Sequence, residues 1–296
     1  MRVFVTGGSG FIGSAVVPDL ISAGHRVLGL ARSEASARAL AAAGAEVLRG
    51  DLNDVKSLRA GAAESEGIIH LGFIHDFAHF EASVNTDRAA VEAMGGVLEG
   101  TGRPFVLASG TAGLAPGKVA TEQSPYDPLL HPRSATAVFA LGLAQRGVRV
   151  SMVRLSPTVH GEGDHGFIKT LVEIARQKGV SGYIGDGSNR WSAVHRLDAA
   201  PMFRLALEKA QPAAVLHAVG EESLATREIA EAIAKGLGVS AASIAPDAAM
   251  AHFGWIGRFF AIDAPASSAL TRQRMGWNPT HATLKEDLEA GHYFAA

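Results

Sequence analysis

The sequence predicts an α/β protein, a doubly wound parallel sheet with helices on both faces, followed by a smaller, mostly helical C-terminal lobe. Three observations carry this expectation. Short, near-continuous apolar runs alternate with longer helical patterns up to about residue 155. Such runs are the signature of strands buried on both faces. The first run, Val3-Phe4-Val5-Thr6, meets a glycine cluster that opens directly onto a helical pattern. After Pro157 the rhythm shifts to helical segments separated by glycine-rich loops and short strands.

The elements follow in order. Strands are predicted at Arg2–Thr6, Arg26–Ala31, Glu46–Arg49, Gly67–Leu71, Phe105–Ser109 and Val148–Leu155, with helices near 12–23, 34–43, 54–62, 77–99 and 134–146 between them. In the second part helices are expected at Phe167–Lys178, Leu197–Lys209 and Thr226–Leu237, with short strands at Tyr183-Ile184 and Val215–Val219. The domain boundary therefore falls at 155/156, giving a nucleotide-binding unit (1–155) and a substrate-side lobe (156–296) with the ligand between them.

Composition narrows the class. Of 296 residues 47% are hydrophobic and 19% charged, which favours a sizeable core over long disorder. The net charge is 27 − 29 = −2, with no dense basic run, so nucleic acid and anionic membrane are poor partners. There are no cysteines, which excludes disulfides, thiolate metal sites and cysteine nucleophiles. No room for a signal peptide precedes the first strand, and no run is long enough to span a bilayer; a cytoplasmic protein is expected.

Thr6-Gly7-Gly8-Ser9-Gly10-Phe11-Ile12-Gly13 carries the clearest chemistry. Gly7 permits the tight turn, Gly10 lets the backbone approach a pyrophosphate, and Gly13 lets the helix pack against the strand. The phosphates would face the helix N-terminus at Phe11 and Ile12. At the end of the second strand, where a ribose 2′-hydroxyl calls for a carboxylate, stand Ala31, Arg32 and Ser33. A guanidinium and a hydroxyl suit a 2′-phosphate, so NADP is expected over NAD. Asp51 and Leu52 follow the third strand, with Asp51 either accepting from adenine or capping the next helix. Leu71 and Gly72 end the fourth strand, where a bare glycine lets a dinucleotide lie close.

These motifs, with Asn85, with Arg154 to Gly161 (which includes Pro157) and with Val194 to Asp198, resemble the extended and atypical short-chain dehydrogenase/reductases, the epimerase/dehydratase-like Rossmann proteins. The resemblance covers nearly the whole chain. It implies a serine or threonine after the fifth strand, here Ser109 or Thr111, and a Tyr-x-x-x-Lys pair on the next helix. That pair is missing: by spacing, Arg133 stands at the tyrosine position and Ala137 at the lysine position. Arginine does not release its proton in proteins. Arg133 is instead a candidate for stabilising an alkoxide or gripping a carboxylate or phosphate. The proton would then come from water or a cleft histidine, with His75 and His160 the leading candidates and His79 and His165 beside them.

His75-Asp76-Phe77-Ala78-His79 mimics a zinc-binding helical pair, but no third ligand is identifiable and no metal is expected. Asn189 and Arg190 are candidates for holding a polar substrate, and Trp191, Phe253, Trp255, Phe259 and Phe260 for walling an apolar one. Together these features predict an NADP(H)-dependent oxidoreductase acting on a carbonyl or hydroxyl of a small molecule. A non-catalytic NADP(H)-binding sensor is the alternative that the lost tyrosine and lysine support. A nucleotide-sugar epimerase or dehydratase is a third option. A homodimer through the helices at 77–99 and 134–146 is an expectation of the resemblance only.

Overall fold

The computed structural model describes residues 1–76, 79–129 and 132–295. The first half runs β1 (Arg2–Thr6), α1 (Gly13–Ser22), β2 (Arg26–Ala31), α2 (Glu34–Ala42), β3 (Glu46–Arg49), α3 (Val55–Ala63), β4 (Gly67–His70), α4 (Phe80–Leu98), β5 (Pro104–Gly110), α5 (Arg133–Gly142) and β6 (Arg149–Leu155). The second half adds β7 (Thr158–His160), α6 (Phe167–Lys178), β8 (Val180–Ile184), β9 (Arg190–His195), α7 (Arg196–Lys209), β10 (Ala214–Ala218), β11 (Glu221–Ala225), α8 (Thr226–Leu237) and β12 (Ser240–Ile244). It closes with α9 (Ala249–Phe253), α10 (Gly257–Phe260), α11 (Ala269–Met275) and α12 (Leu284–Glu289).

Seven parallel strands form the central sheet in the order β10-β6-β5-β4-β1-β2-β3. The order reverses between β1 and β4, and at such a reversal a crevice opens beyond the carboxyl ends of the strands. Strand residues alternate between the two faces. Val3 and Val5 pack with Val16, Val17 and Leu20 of α1 and with Met202, Phe203 and Leu207 of α7. Phe4 packs oppositely, with Leu58 of α3, Met94 of α4 and Ala140 of α5. Both faces are thus covered, which is why these strands read as unbroken apolar runs.

The strict 155/156 division does not follow the sheet. α7 and β10, both from the second half, return to the main layer, with β10 pairing β6 from Ala214↔Ser151 to Ala218↔Leu155. Strand β10 (Ala214–Ala218) is only five residues long and lies more than two thirds of the sequence away from β1 (Arg2–Thr6), so no local pattern ties it to the first sheet. The smaller lobe is built from two short sheets, β11-β9-β7 and β12-β8, and the helices around a third core containing Leu171, Trp191, Ile229, Phe253, Phe260 and Leu284. No described helix is long and apolar enough to cross a membrane.

Candidate active site

The turn after β1 is fixed by steric necessity. Gly7 sits at φ +70°, and a Cβ there would lie 2.7 Å from the Gly72 nitrogen. A Cβ on Gly13 would lie 2.1 Å from the Gly7 carbonyl oxygen, so only glycine lets α1 start so close to β1. Helix α1 begins with Ile12 at its N-cap and no side-chain cap. Its first-turn N–H groups therefore have no side-chain acceptor of their own, the condition for anion binding at a helix N-terminus. Gly72 brings β4 equally close, since a Cβ there would meet Leu52 and Thr6 at 3.1 Å.

A single cleft of about 1100 Å³ runs from this turn along the strand ends. It exceeds the roughly 300–1,000 Å³ of pockets for drug-sized ligands. One end is lined by Arg32, Ser36 and Asp51, the middle by the glycine turn, Leu71 and Gly72, and the far end by Ser109, Arg133 and Pro157. The glycine turn, Arg32, Asp51, Leu52, Leu71, Gly72 and Pro157 therefore stand together as expected.

Ser33 departs from expectation. It is the N-cap of α2, its hydroxyl accepting the Ser36 N–H at 3.1 Å and donating to the Ser36 hydroxyl at 3.0 Å. Ser36 faces the cleft instead. Asp51 does not cap α3, because Asp54 does so through the N–H groups of Lys56 and Ser57. The Asp51 carboxylate accepts from Asn53 while lining the cleft.

At the far end, Arg133 opens α5 and turns back towards the sheet. Its Nε and Nη2 donate to the two Asp87 carboxylate oxygens at 3.3 and 3.4 Å, and Nη2 also donates to the Ala108 carbonyl. The guanidinium lies 4.1 Å from the Phe73 ring centroid. Asp87, on the buried face of α4, accepts from His70 Nε2 at 3.3 Å. His70 Nδ1 meets the Thr6 hydroxyl at 2.7 Å, and that hydroxyl accepts the Gly72 N–H. A buried polar chain thus joins the glycine turn to the Arg133 end of the cleft. Burial pushes the Asp87 carboxyl up, but the His70 hydrogen bond and the Arg133 charge outweigh it and hold the pKa below the ordinary value. Asp87 is a carboxylate, and as it only accepts, His70 presents Nε2–H to it. Ala137 is buried in the core beneath α5 and replaces the lysine with packing.

Ser109 lines the cleft, but Thr111 does not. Its side chain is buried, with its hydroxyl 3.5 Å from that of Ser192, because the chain beyond β5 turns its side chain towards β9. Of the two hydroxyl candidates, the structure therefore keeps Ser109. His160 is also displaced from the chemistry. It is fully buried, with Nδ1 2.8 Å from Asp287 and its ring edge-on to His195.

His75 and His165 do line the cleft. Desolvation against the wall lowers the His75 pKa, the Arg133 and His165 charges add to this, and a hydrogen bond to the Phe73 backbone opposes it. His79 bonds Asp76 instead. Among the described residues no cluster of ligating side chains could hold a metal, and the Phe77-Ala78 part of the zinc-like sequence lies outside them.

Asn189 donates to the Phe260 carbonyl, and Arg190 pairs with Asp263 at 2.7 Å, so both brace the lobe. Of the five aromatic candidates Trp255 and Phe259 reach the cleft, whereas Trp191, Phe253 and Phe260 fill the core. Two further residues of the site belong to none of the sequence motifs. Asp87 is one; its signal is a carboxylate in the apolar stripe Val84, Val91, Met94 of a helix. Tyr126 is the other: it lines the cleft, its ring lies 4.0 Å from the Arg154 guanidinium, and its buried hydroxyl has no hydrogen-bond partner among the described residues.

The sheet, the glycine turn and the cleft at the strand-order reversal define a dinucleotide-binding α/β protein of the Rossmann class. Residues 3–219 match the NAD dependent epimerase/dehydratase family, and the chain belongs to it. An uncharacterized protein of Schizosaccharomyces pombe is 48% identical, over 99% of this chain and 100% of its own length. A 2-alkyl-3-oxoalkanoate reductase of Stenotrophomonas maltophilia is 32% identical over 72% of this chain and 67% of its own. The UDP-glucose 4-epimerase of Thermus thermophilus, solved with NAD, has the same fold, with TM-score 0.78, 21% identity and full coverage of both chains.

Proposed function

We propose that the protein is an NADP(H)-dependent oxidoreductase that interconverts a carbonyl and a hydroxyl on a small organic substrate. One observation carries this reading. The cleft is continuous from Arg32, past the glycine turn, to Ser109 and Arg133. The residues present fit a dinucleotide: Gly7 and Gly13 stand where any Cβ would collide with the backbone that forms the turn, and an uncapped helix N-terminus faces the cleft. The bound dinucleotide supplies or accepts the hydride. The α1 N-terminus holds the pyrophosphate. Arg32 and Ser36 take the 2′-phosphate, Asp51 the adenine end, and Pro157 walls the far end.

The chain's own residues supply the rest. Ser109 donates to the substrate oxygen and Arg133, anchored by Asp87, sets a fixed positive charge beside the oxygen as it becomes an alkoxide. His75, which lines the same cleft, relays the proton of that oxygen with solvent. The S. maltophilia relative is a ketone-directed reductase by name, which supports reduction over epimerisation.

Arg133 and Ala137, where a tyrosine and a lysine are expected, favour a second reading, an NADP(H)-binding protein without turnover. Titration with NADPH and NADH, then a screen of carbonyl compounds for loss of reduced-nicotinamide absorbance, decides between them. Turnover of any carbonyl supports the enzyme. Tight NADPH binding with no turnover across a broad panel leaves the sensor.

A further inference from the structure

We infer that the substrate end of the cleft takes an uncharged aromatic carbonyl compound rather than a nucleotide sugar; this rests on the oxidoreductase reading above. The walls of that end come from both parts of the molecule. From the β4–α4 connection comes Phe73 and from the first residue of α4 Phe80, with ring centroids 6.0 Å apart. From the smaller lobe come Phe167, Trp255 and Phe259, each within 5.5–6.0 Å of the other two. Trp255 remains 40% exposed, large for an indole that could have been packed inward like Trp191 at 1%. A flat ring entering between these groups gains offset or edge-on contacts and removes this indole from water.

The charges at this end oppose a diphosphate. Asp76, Asp127 and Asp164 line it, and the arginines lining the cleft among the described residues are Arg32, at the opposite end, and Arg133, which is paired with Asp87. Arg190, the cation that the sequence offers for a polar substrate, is bound to Asp263. A nucleoside diphosphate would face three carboxylates with no cation set aside for it, at a cost of like-charge repulsion.

The polar requirement that remains is small and specific. The Tyr126 hydroxyl is buried at the cleft wall with no partner among the described residues, and a buried hydroxyl left unpaired is unfavourable. One acceptor oxygen on an otherwise apolar ligand satisfies it once the Tyr126 side chain, which already lines the cleft, turns its hydroxyl inward to it. An aromatic ketone combines these needs: a flat ring for the walls and one oxygen for the hydroxyls and Arg133.

Calorimetric titration tests this, with 2-acetylnaphthalene, 2-butanone and UDP-glucose as probes against NADPH-saturated protein and against protein alone. The naphthyl ketone is expected to bind at least tenfold more tightly than 2-butanone, and UDP-glucose is expected not to displace it. Trp255→Ala should weaken the naphthyl ketone about tenfold, and Tyr126→Phe should weaken it further, with the affinity for NADPH retained in both. Because Trp255 is exposed, its truncation leaves no core cavity. Tighter binding of UDP-glucose than of the ketone, or an affinity unmoved by Trp255→Ala, would overturn the inference while leaving the oxidoreductase reading standing. Failure of NADPH itself to bind, seen in the first titration, would instead overturn that reading.

Discussion

Arg133 and Asp87 meet through two hydrogen bonds of 3.3 and 3.4 Å, one residue a quarter exposed at the cleft and the other buried behind it. Arg133 stands at the position where the resemblance implies a tyrosine, with Ala137 at that of the lysine, and its pairing with Asp87 of α4 changes what that corner can do. A tyrosine there moves a proton. A guanidinium held by a carboxylate keeps its proton and offers a fixed charge instead.

Removing either partner strands the other. Arg133→Ala leaves a buried carboxylate with His70 alone, and Asp87→Ala leaves Arg133 unanchored. Each single change should lower stability by about 1–3 kcal/mol. A double-mutant cycle by urea denaturation should give a coupling of about 1 kcal/mol or more. Additive losses would show that the pair does not act as a unit.

Arg133→Lys keeps the charge but not the two-pronged geometry. Turnover of any accepted carbonyl should fall by about 10²-fold or more, with KM moving far less than kcat. A kcat like the wild type's in Arg133→Lys and in Arg133→Ala is the outcome that removes Arg133 from the chemistry.

Arg32→Glu places a carboxylate where a 2′-phosphate is proposed. The ratio of NADPH to NADH affinity should fall by at least tenfold, read by fluorescence titration, through loss of a charge-assisted contact. An unchanged ratio would assign Arg32 to solvent.

Stability should also carry a histidine signature. Burial takes His217 down to about 4; the nearby Glu122 charge opposes this and the Arg154 charge adds to it. Its Nδ1–H donates to the Ser267 carbonyl, and its Nε2 faces Arg154 Nη1 at 3.4 Å, which protonation would set against the guanidinium. With the folded pKa below the unfolded value near 6.5, the unfolded chain binds more protons between them. The stabilisation is full above about pH 6.5 and is lost as pH falls towards 4. Thermal melts should show a declining Tm across this window, and His217→Gln should flatten the slope.

How much of this was legible in the sequence follows from how local each feature is. The glycines at 7, 10 and 13 fall within one short stretch, so the motif and its helix are readable directly, although the contact that bars a Cβ on Gly7 comes from Gly72 at the end of β4. Strand β10 reaches β6 across some sixty residues, and nothing in its own five residues says which sheet it joins. Beyond a strand end, side-chain direction depends on the path of the loop. Ser109 and Thr111 are two positions apart yet end in the cleft and against Ser192 respectively. His160 went inward because Asp287, from α12, is there to meet it. Asp87 was the readable omission, a charge in an apolar helical stripe that announces a buried partner.

Isothermal titration of the wild-type chain with NADPH and then NADH tests the central claim most directly. One NADPH per chain, bound more tightly than NADH, is the result expected of a glycine turn with Arg32 at the adenosine end of the cleft. No heat of binding for either dinucleotide, or tighter binding of NADH, would contradict it.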